Sequence, residues 1–257
     1  MEFQEWAPAF VLILVRMSAF ILTLPFFSYQ TIPGQIKIGF AFFMTWIIFF
    51  TQDWPVLEIN YTYMLLIVKE ALVGLTVGLI AIILLYAIQT AGGLIDRQMG
   101  FLIASVIDPQ TGQQSPLIGS YLYTFALLLI LALNAHHLMI DGAFYSYQLI
   151  PMDQVFLPFG SEEVVNEAAG AVSSMFIIAF QMSMPVVGSV FLVDVALGMI
   201  ARTVPQVNVF VVGLPLKIMV GMIILFLTMA PFFVLVEYLT EVVIETMRTL
   251  MELYGSV

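Results

Sequence analysis

Runs of mainly apolar residues recur six times along the chain, at 7–29, 38–50, 71–91, 117–140, 168–193 and 218–236. About 20 such residues cross the hydrocarbon core of a bilayer as an α-helix, so the pattern predicts about six long apolar helical segments arranged as hairpins. The second run is short and needs help from its flanks. The third and fifth carry no charge; the first contains Arg16 and Pro25, the fifth Pro185 and the sixth Pro231. After the sixth, Glu237, Glu241 and Glu245 recur every four residues and share one helix face, while Val242, Val243, Met247 and Leu250 lie elsewhere on the helix. That spacing predicts an amphipathic helix continuing to about Tyr254. Glu2 and Glu5 stand where a cleavable signal peptide carries positive charge, so the first run is expected to remain a span.

Composition sharpens this picture. Of 257 residues, 62% are hydrophobic and 9% charged, against about 45–50% and about 25% in soluble domains. The class expected is an all-α membrane protein, not a cytosolic enzyme or a disordered chain. Seven Lys and Arg face seventeen Asp and Glu, which leaves no basic cluster for phosphate recognition and argues against nucleic acid as a partner. There is no Cys, and His136 and His137 stand together without further ligands, so no metal site or cofactor is expected.

The charges also orient the segments. With six spans, Lys37, Arg97, Arg202 and Lys217 fall in or near alternate loops on one side. Asp53, Glu58, Asp141, Asp153, Glu162, Glu163 and Glu167 fall with the termini. The positive-inside rule then places both termini outside the cytoplasmic membrane; Arg248 opposes this, and Lys69 sits at a span entrance.

Four features invite function. The connection 92–116, GGLIDRQMGFLIASVIDPQTGQQSP, is long for an idle loop. It reads either as a re-entrant, plug-like loop in a pore or as an amphipathic interfacial helix followed by a turn. Arg16 lies ten residues into the first span and needs a carboxylate, a helix terminus or water; Asp194, ending the fifth run, is one candidate partner. Asp96 and Arg97 are adjacent and share no helix face, so they sit either at membrane depth with a functional role or in headgroups and water. Gly74 and Gly78 form a GxxxG pattern that either permits close helix approach or occurs by chance. The stretch 196–217 gathers Arg202, Pro205, Gln206, Asn208, Gly213, Pro215 and Lys217 between two runs. It predicts a structured turn at a hairpin tip and a subunit contact. No nucleophile–base pair, phosphate loop or metal motif is present, so no enzymatic activity is expected.

Three stretches carry a resemblance. ALGMIARTVPQVNVFVVGLPLK (196–217), GLIDRQMGF (93–101) followed by Asp108-Pro109, and PFFSYQTIPGQIKIG (25–39) resemble, in order and spacing, the FliR/SpaR/YscT family of type III secretion export gates. The likeness covers nearly the whole chain and is closer to the flagellar members. It implies a non-enzymatic pore-forming subunit that joins FliP and FliQ subunits in a helical assembly and passes unfolded proteins, with FlhB at the cytoplasmic entrance and FlhA beneath. It implies a FliP-like part (1–165) and a FliQ-like hairpin with the C-terminal helix (166–257). Much of such an assembly is lifted out of the bilayer plane, so apolar segments need not all cross lipid. It also implies a mid-chain plug over about 101–119, with Phe101, Leu102, Ile103, Val106, Asp108, Pro109, Gly112 and Pro116 as its residues and Gly100, Gly112 and Gly119 as hinges. Two alternatives stay open: the equivalent subunit of a virulence injectisome, and a secondary transporter with helices broken at Pro185, Pro215 and Pro231. An intramembrane protease lacks its catalytic set.

Overall fold

The computed structural model describes residues 3–27, 32–52, 54–101, 116–204, 206 and 208–256, with side chains from Trp6 onward. Of the plug candidates, Leu102, Ile103, Val106, Asp108, Pro109 and Gly112 lie outside the described residues, as does Pro205 of the hairpin tip. Eight helices make up the described structure: α1 (Phe3–Thr23), α2 (Gly34–Thr51), α3 (Tyr61–Met99), α4 (Leu117–Ala132), α5 (Ala135–Leu149), α6 (Glu162–Thr203), α7 (Val209–Leu227) and α8 (Met229–Gly255). Five are long and apolar enough to cross a membrane, or six when α4 and α5 count as one broken span. The all-α membrane class read from the sequence holds.

Several boundaries differ from the apolar runs, each for a local reason. The third run is the centre of a helix of 39 residues, because neither Tyr61–Val68 before it nor Gly92–Met99 after it contains a Pro to stop it, and Gly92 and Gly93 are tolerated within the helix. The expected connection 92–116 therefore shrinks to 100–116, and α3 ends at Gly100 with φ 91°, a conformation open to glycine. The fourth run breaks at Asn134, which adopts a left-handed φ of 56°, one that Asn tolerates better than most residues. The polar stretch beginning at Asp141 is helical as far as Leu149. The sixth run is cut at Thr228. Pro231 has no N–H, and its ring would clash with the carbonyl four residues back, at Leu227; it sits instead in the first turn of α8. The fifth run lies within α6, which spans 42 residues and passes Pro185 unbroken.

The chain divides into two compact units. The first holds 1–84, 134–172 and 241–257. Its core is built from the buried face of α1 (Leu12, Ile13, Met17, Phe20, Ile21, Leu24), from Val73 and Val77 of α3, Met139 and Tyr147 of α5, and Val243, Met247, Leu250 and Tyr254 of α8. Gly74 and Gly78 account for the α1–α3 contact: a Cβ at 74 would fall on the Arg16 carbonyl, and one at 78 on the Thr23 hydroxyl. The small-residue reading of that pair is borne out. Glu241 and Glu245 of α8 are exposed opposite its buried face, as the acidic spacing predicts, and Glu252 is exposed as well. Phe10 of α1 meets Phe42, Trp46 and Phe49 of α2 with ring centroids 5.5–6.3 Å apart.

The second unit holds 85–133 and 173–240. Within it α6 and α7 form a hairpin, and the end of α3 packs on α4 and α7. Gly92 lies so close to Gly119 that a Cβ would fall on the Gly119 Cα. Met99 fills the space beside Gly221, where a Cβ would come within 2.7 Å of its methyl carbon.

Candidate functional site

In the first unit, three charges are buried together. Arg16 is 2% exposed and Glu70 fully buried; the guanidinium donates through Nε and, at 2.9 Å, through Nη2 to the Glu70 carboxylate. Arg16 also donates to Ser146 Oγ (3.1 Å) and the Ile150 carbonyl (3.1 Å), and its guanidinium carbon stands 4.2 Å from the centroid of the Tyr147 ring. Lys69 Nζ meets Glu70 Oε1 (2.5 Å), the oxygen that also accepts from Arg16 Nη2, and donates to the carbonyls of Pro151 and Met152 (3.0 and 3.2 Å). Two cations thus share one carboxylate and hold three successive carbonyls of the segment after α5. Each charge finds the partners that burial requires.

This corrects the pairing considered from the sequence. Asp194 is not the partner of Arg16; it lies in the second unit, where it pairs with Lys217 (2.5 Å) and accepts from Gln98 Nε2 (3.0 Å). Lys69 is 3% exposed within α3. Glu70 went unnoticed in the sequence reading. Its signal was available: Lys69-Glu70 interrupts an apolar stretch that resumes on both sides, from Tyr61 to Ala91.

In the second unit the stem of the 100–116 segment is tied at Asp96. Its backbone carbonyl accepts from the Gly100 amide at 3.0 Å. Its carboxylate, on a residue 3% exposed, accepts from the Ile118 amide at 3.2 Å (Oδ1) and 3.1 Å (Oδ2). That amide belongs to the first turn of α4, whose own cap residue, Pro116, offers no side-chain acceptor. Asp96 therefore caps α4 from α3. Arg97, one residue on, is exposed, so the two neighbours face different environments. Phe101 and Pro116, the described plug candidates, are half-buried at the two ends of the segment.

At the hairpin tip, the turn is shorter than the predicted stretch. α6 runs through Arg202 to Thr203 and α7 begins at Val209. Gly213, Pro215 and Lys217 are thus helical, a correction that follows from placing the prolines: Pro215 falls in the second turn of α7, where only the Val211 carbonyl loses its bond. Asn208 caps α7, its side-chain oxygen accepting from the Phe210 and Val211 amides at 3.1 and 3.3 Å. Arg202 and Gln206 are exposed at the tip, and Gly213 is buried against Leu197. The Asp194–Lys217 pair ties the two arms below it. Among the described residues, no group of three or more His, Asp or Glu could hold a metal ion.

A family model described as bacterial export proteins, family 1, matches residues 7–243. Flagellar biosynthetic protein FliR of Bacillus subtilis (strain 168) is 57% identical over 249 residues, covering 96% of each chain. Flagellar biosynthetic protein FliR of Escherichia coli (strain K12) is 28% identical over 227 residues, 86% of this chain and 84% of its own. Yop proteins translocation protein T of Yersinia pestis is 29% identical over 211 residues, 81% of this chain and 80% of its own.

Proposed function

The chain belongs to the bacterial export proteins, family 1, and we propose that it is a pore-forming subunit of the flagellar type III protein export gate. In this reading it sits in the cytoplasmic membrane with both termini outside. It assembles with FliP- and FliQ-type subunits, its 1–165 part FliP-like and its 166–257 part FliQ-like, and passes unfolded flagellar proteins. The segment from Phe101 to Pro116 closes the pore, FlhB and FlhA act at the cytoplasmic entrance, and the export energy comes from the partners. The names of relatives from flagellar systems support the flagellar assignment.

One observation carries the assembly. Exposed apolar side chains recur along α6 and just past its end, from Val165 through Phe176, Phe180, Phe191 and Met199 to Val204. At 1.5 Å per residue this apolar surface is about 58 Å long, while the hydrocarbon core is about 30 Å thick. Even a tilt of about 40°, the upper end for spanning helices, leaves a projection of about 44 Å. Lipid cannot cover that surface alone, and water would leave it unfavourably exposed. Neighbouring protein helices meet the need, as a stack of like hairpins would. Lys217, neutralised by Asp194, contributes little to orientation, which then rests on Lys37, Arg97 and Arg202.

The test is a pull-down of the tagged chain from native membranes in mild detergent, with sizing and mass spectrometry. Recovery in a large particle with FliP- and FliQ-type subunits is expected. Recovery as a small, monodisperse particle without them would overturn the reading. For the pore segment, shortening 108–115 is expected to make cells leak small ions; unchanged conductance refutes that assignment.

A further inference from the structure

In the first unit, an open groove of about 650 Å³ lies between α5 and α8. It follows α5 from Leu138 to Leu149 and α8 from Ile244 to Glu252. At 1.5 Å per residue these edges are about 17 and 12 Å long, about two to three turns of a helix. Gly142 and the buried Met247 and Met251 form its floor. The floor has room at Gly142, where a Cβ would meet only the Met247 methyl carbon, at 3.6 Å. Unbranched thioethers adapt to whatever shape is laid on them. The rim is polar and exposed: Asp141, Tyr145 and Gln148 on α5, Arg248 and Glu252 on α8. Arg248 Nε donates to Glu252 at 2.9 Å, so this guanidinium is neutralised within its own helix. Asp141 has no ion pair among the described residues. Two carboxylates against one guanidinium leave the rim negative.

These features select the occupant. Exposed Glu241, Glu245, Arg248 and Glu252 recur along this part of α8, and hydrocarbon does not accept charges at that density, so the bilayer is not the cover. A second copy brings the same acidic excess, 17 Asp and Glu against 7 Lys and Arg, and is repelled. An adaptable apolar floor between acidic edges fits an amphipathic helix with a basic flank. We propose that the groove between α5 and α8 docks a basic amphipathic helix of a partner subunit, with apolar side chains spaced i, i+3 or i+4 and i+7 on the methionine floor and a Lys or Arg against Asp141. That the partner belongs to the same particle rests on the assembly reading above; the chemistry of the groove does not.

The experiment uses the full chain in its native membranes, with a photoreactive benzophenone side chain in place of Tyr145, which is 59% exposed on the rim. After illumination, mass spectrometry reads the cross-linked residues. The expected product joins position 145 to one helical stretch of another protein, with that apolar spacing and a basic residue within a turn of the cross-link. Asp141→Lys should lower the yield about tenfold or more, because it sets like charges against each other. Exchanging the partner's basic residue for Asp should restore it. Gly142→Leu, which fills the floor, should lower the yield as far while leaving the unfolding midpoint in detergent in place. If Asp141→Lys fails to accumulate, Gln148→Lys on the same rim takes its place and is held to the same loss.

A yield unchanged by both the rim and the floor variants overturns the docking site. Cross-links confined to lipid, to a second copy or to an acidic helix overturn it as well. Recovery of a large particle with FliP- and FliQ-type subunits but without the cross-link removes the docking site and leaves the assembly reading standing. Charge-dependent cross-linking to a basic helix in the absence of that particle upholds the docking site and overturns the assembly reading instead.

Discussion

Replacing Glu70 with Gln removes one charge from the buried cluster while keeping its shape. In the native structure that carboxylate serves two cations at once: Arg16 through two nitrogens and Lys69 through one. The variant removes the one carboxylate that both buried cations contact directly. Removing one partner of a buried pair costs about 3–5 kcal/mol. Arg16 keeps Ser146, Ile150 and the face of Tyr147, and Lys69 keeps the Pro151 and Met152 carbonyls, which holds the loss near the lower end, about 3 kcal/mol. At about 2–4 °C per kcal/mol for a chain of this size, the midpoint of thermal unfolding in detergent should fall by roughly 6–12 °C.

Trp54 offers a local probe, since its ring stands 5.5 Å from Tyr147, the same ring that carries Arg16. Its emission should change before global loss of helix. A double-mutant cycle with Arg16→Met separates the pair from its parts. Because removal of both members spares the uncompensated guanidinium, Arg16→Met with Glu70→Gln should be less damaging than the sum of the two single changes, with a coupling of at least about 1 kcal/mol. Additive losses, or a fall of under 2 °C for Glu70→Gln alone, would show that the cluster does not hold the first unit together.

Two further outcomes test the second unit. Gly92→Val should prevent stable packing of α3 on α4, since its Cβ would fall on the Gly119 backbone; Gly93→Ala, whose Cβ meets Pro116 only at 3.6 Å, should behave as wild type in detergent stability. Asn208→Ala should cost about 1 kcal/mol through loss of the α7 cap and should speed hydrogen exchange at the Phe210 and Val211 amides, the two that its side chain accepts.

Much of the secondary structure was legible because it follows from local spacing. Apolar length marked the spans, Gly74 and Gly78 marked a close helix approach, and the four-residue recurrence of Glu marked the outer face of α8. Pro231 held the information that cuts the sixth run at Thr228, although hydropathy alone reads across it. The break at Asn134 had no comparable signal, since apolar residues flank it on both sides. The candidate site was legible only as a set of residue types. Arg16 announced that it needed a partner, but Glu70 lies 54 positions away and Asp96 reaches Ile118 across 22 positions.

The sequence by itself determined that this chain is helical and suited to a membrane. Long apolar runs cannot leave backbone groups unsatisfied in lipid, and an α-helix satisfies them within the segment. What only the tertiary structure decided is which charge meets which: Arg16 and Lys69 with Glu70, Asp194 with Lys217, Asp96 with the start of α4. Periodicity assigns a residue to a face of its own helix, whereas a buried charge is settled by whatever the opposing helix brings within about 3 Å of it, and that depends on packing between segments far apart in the chain.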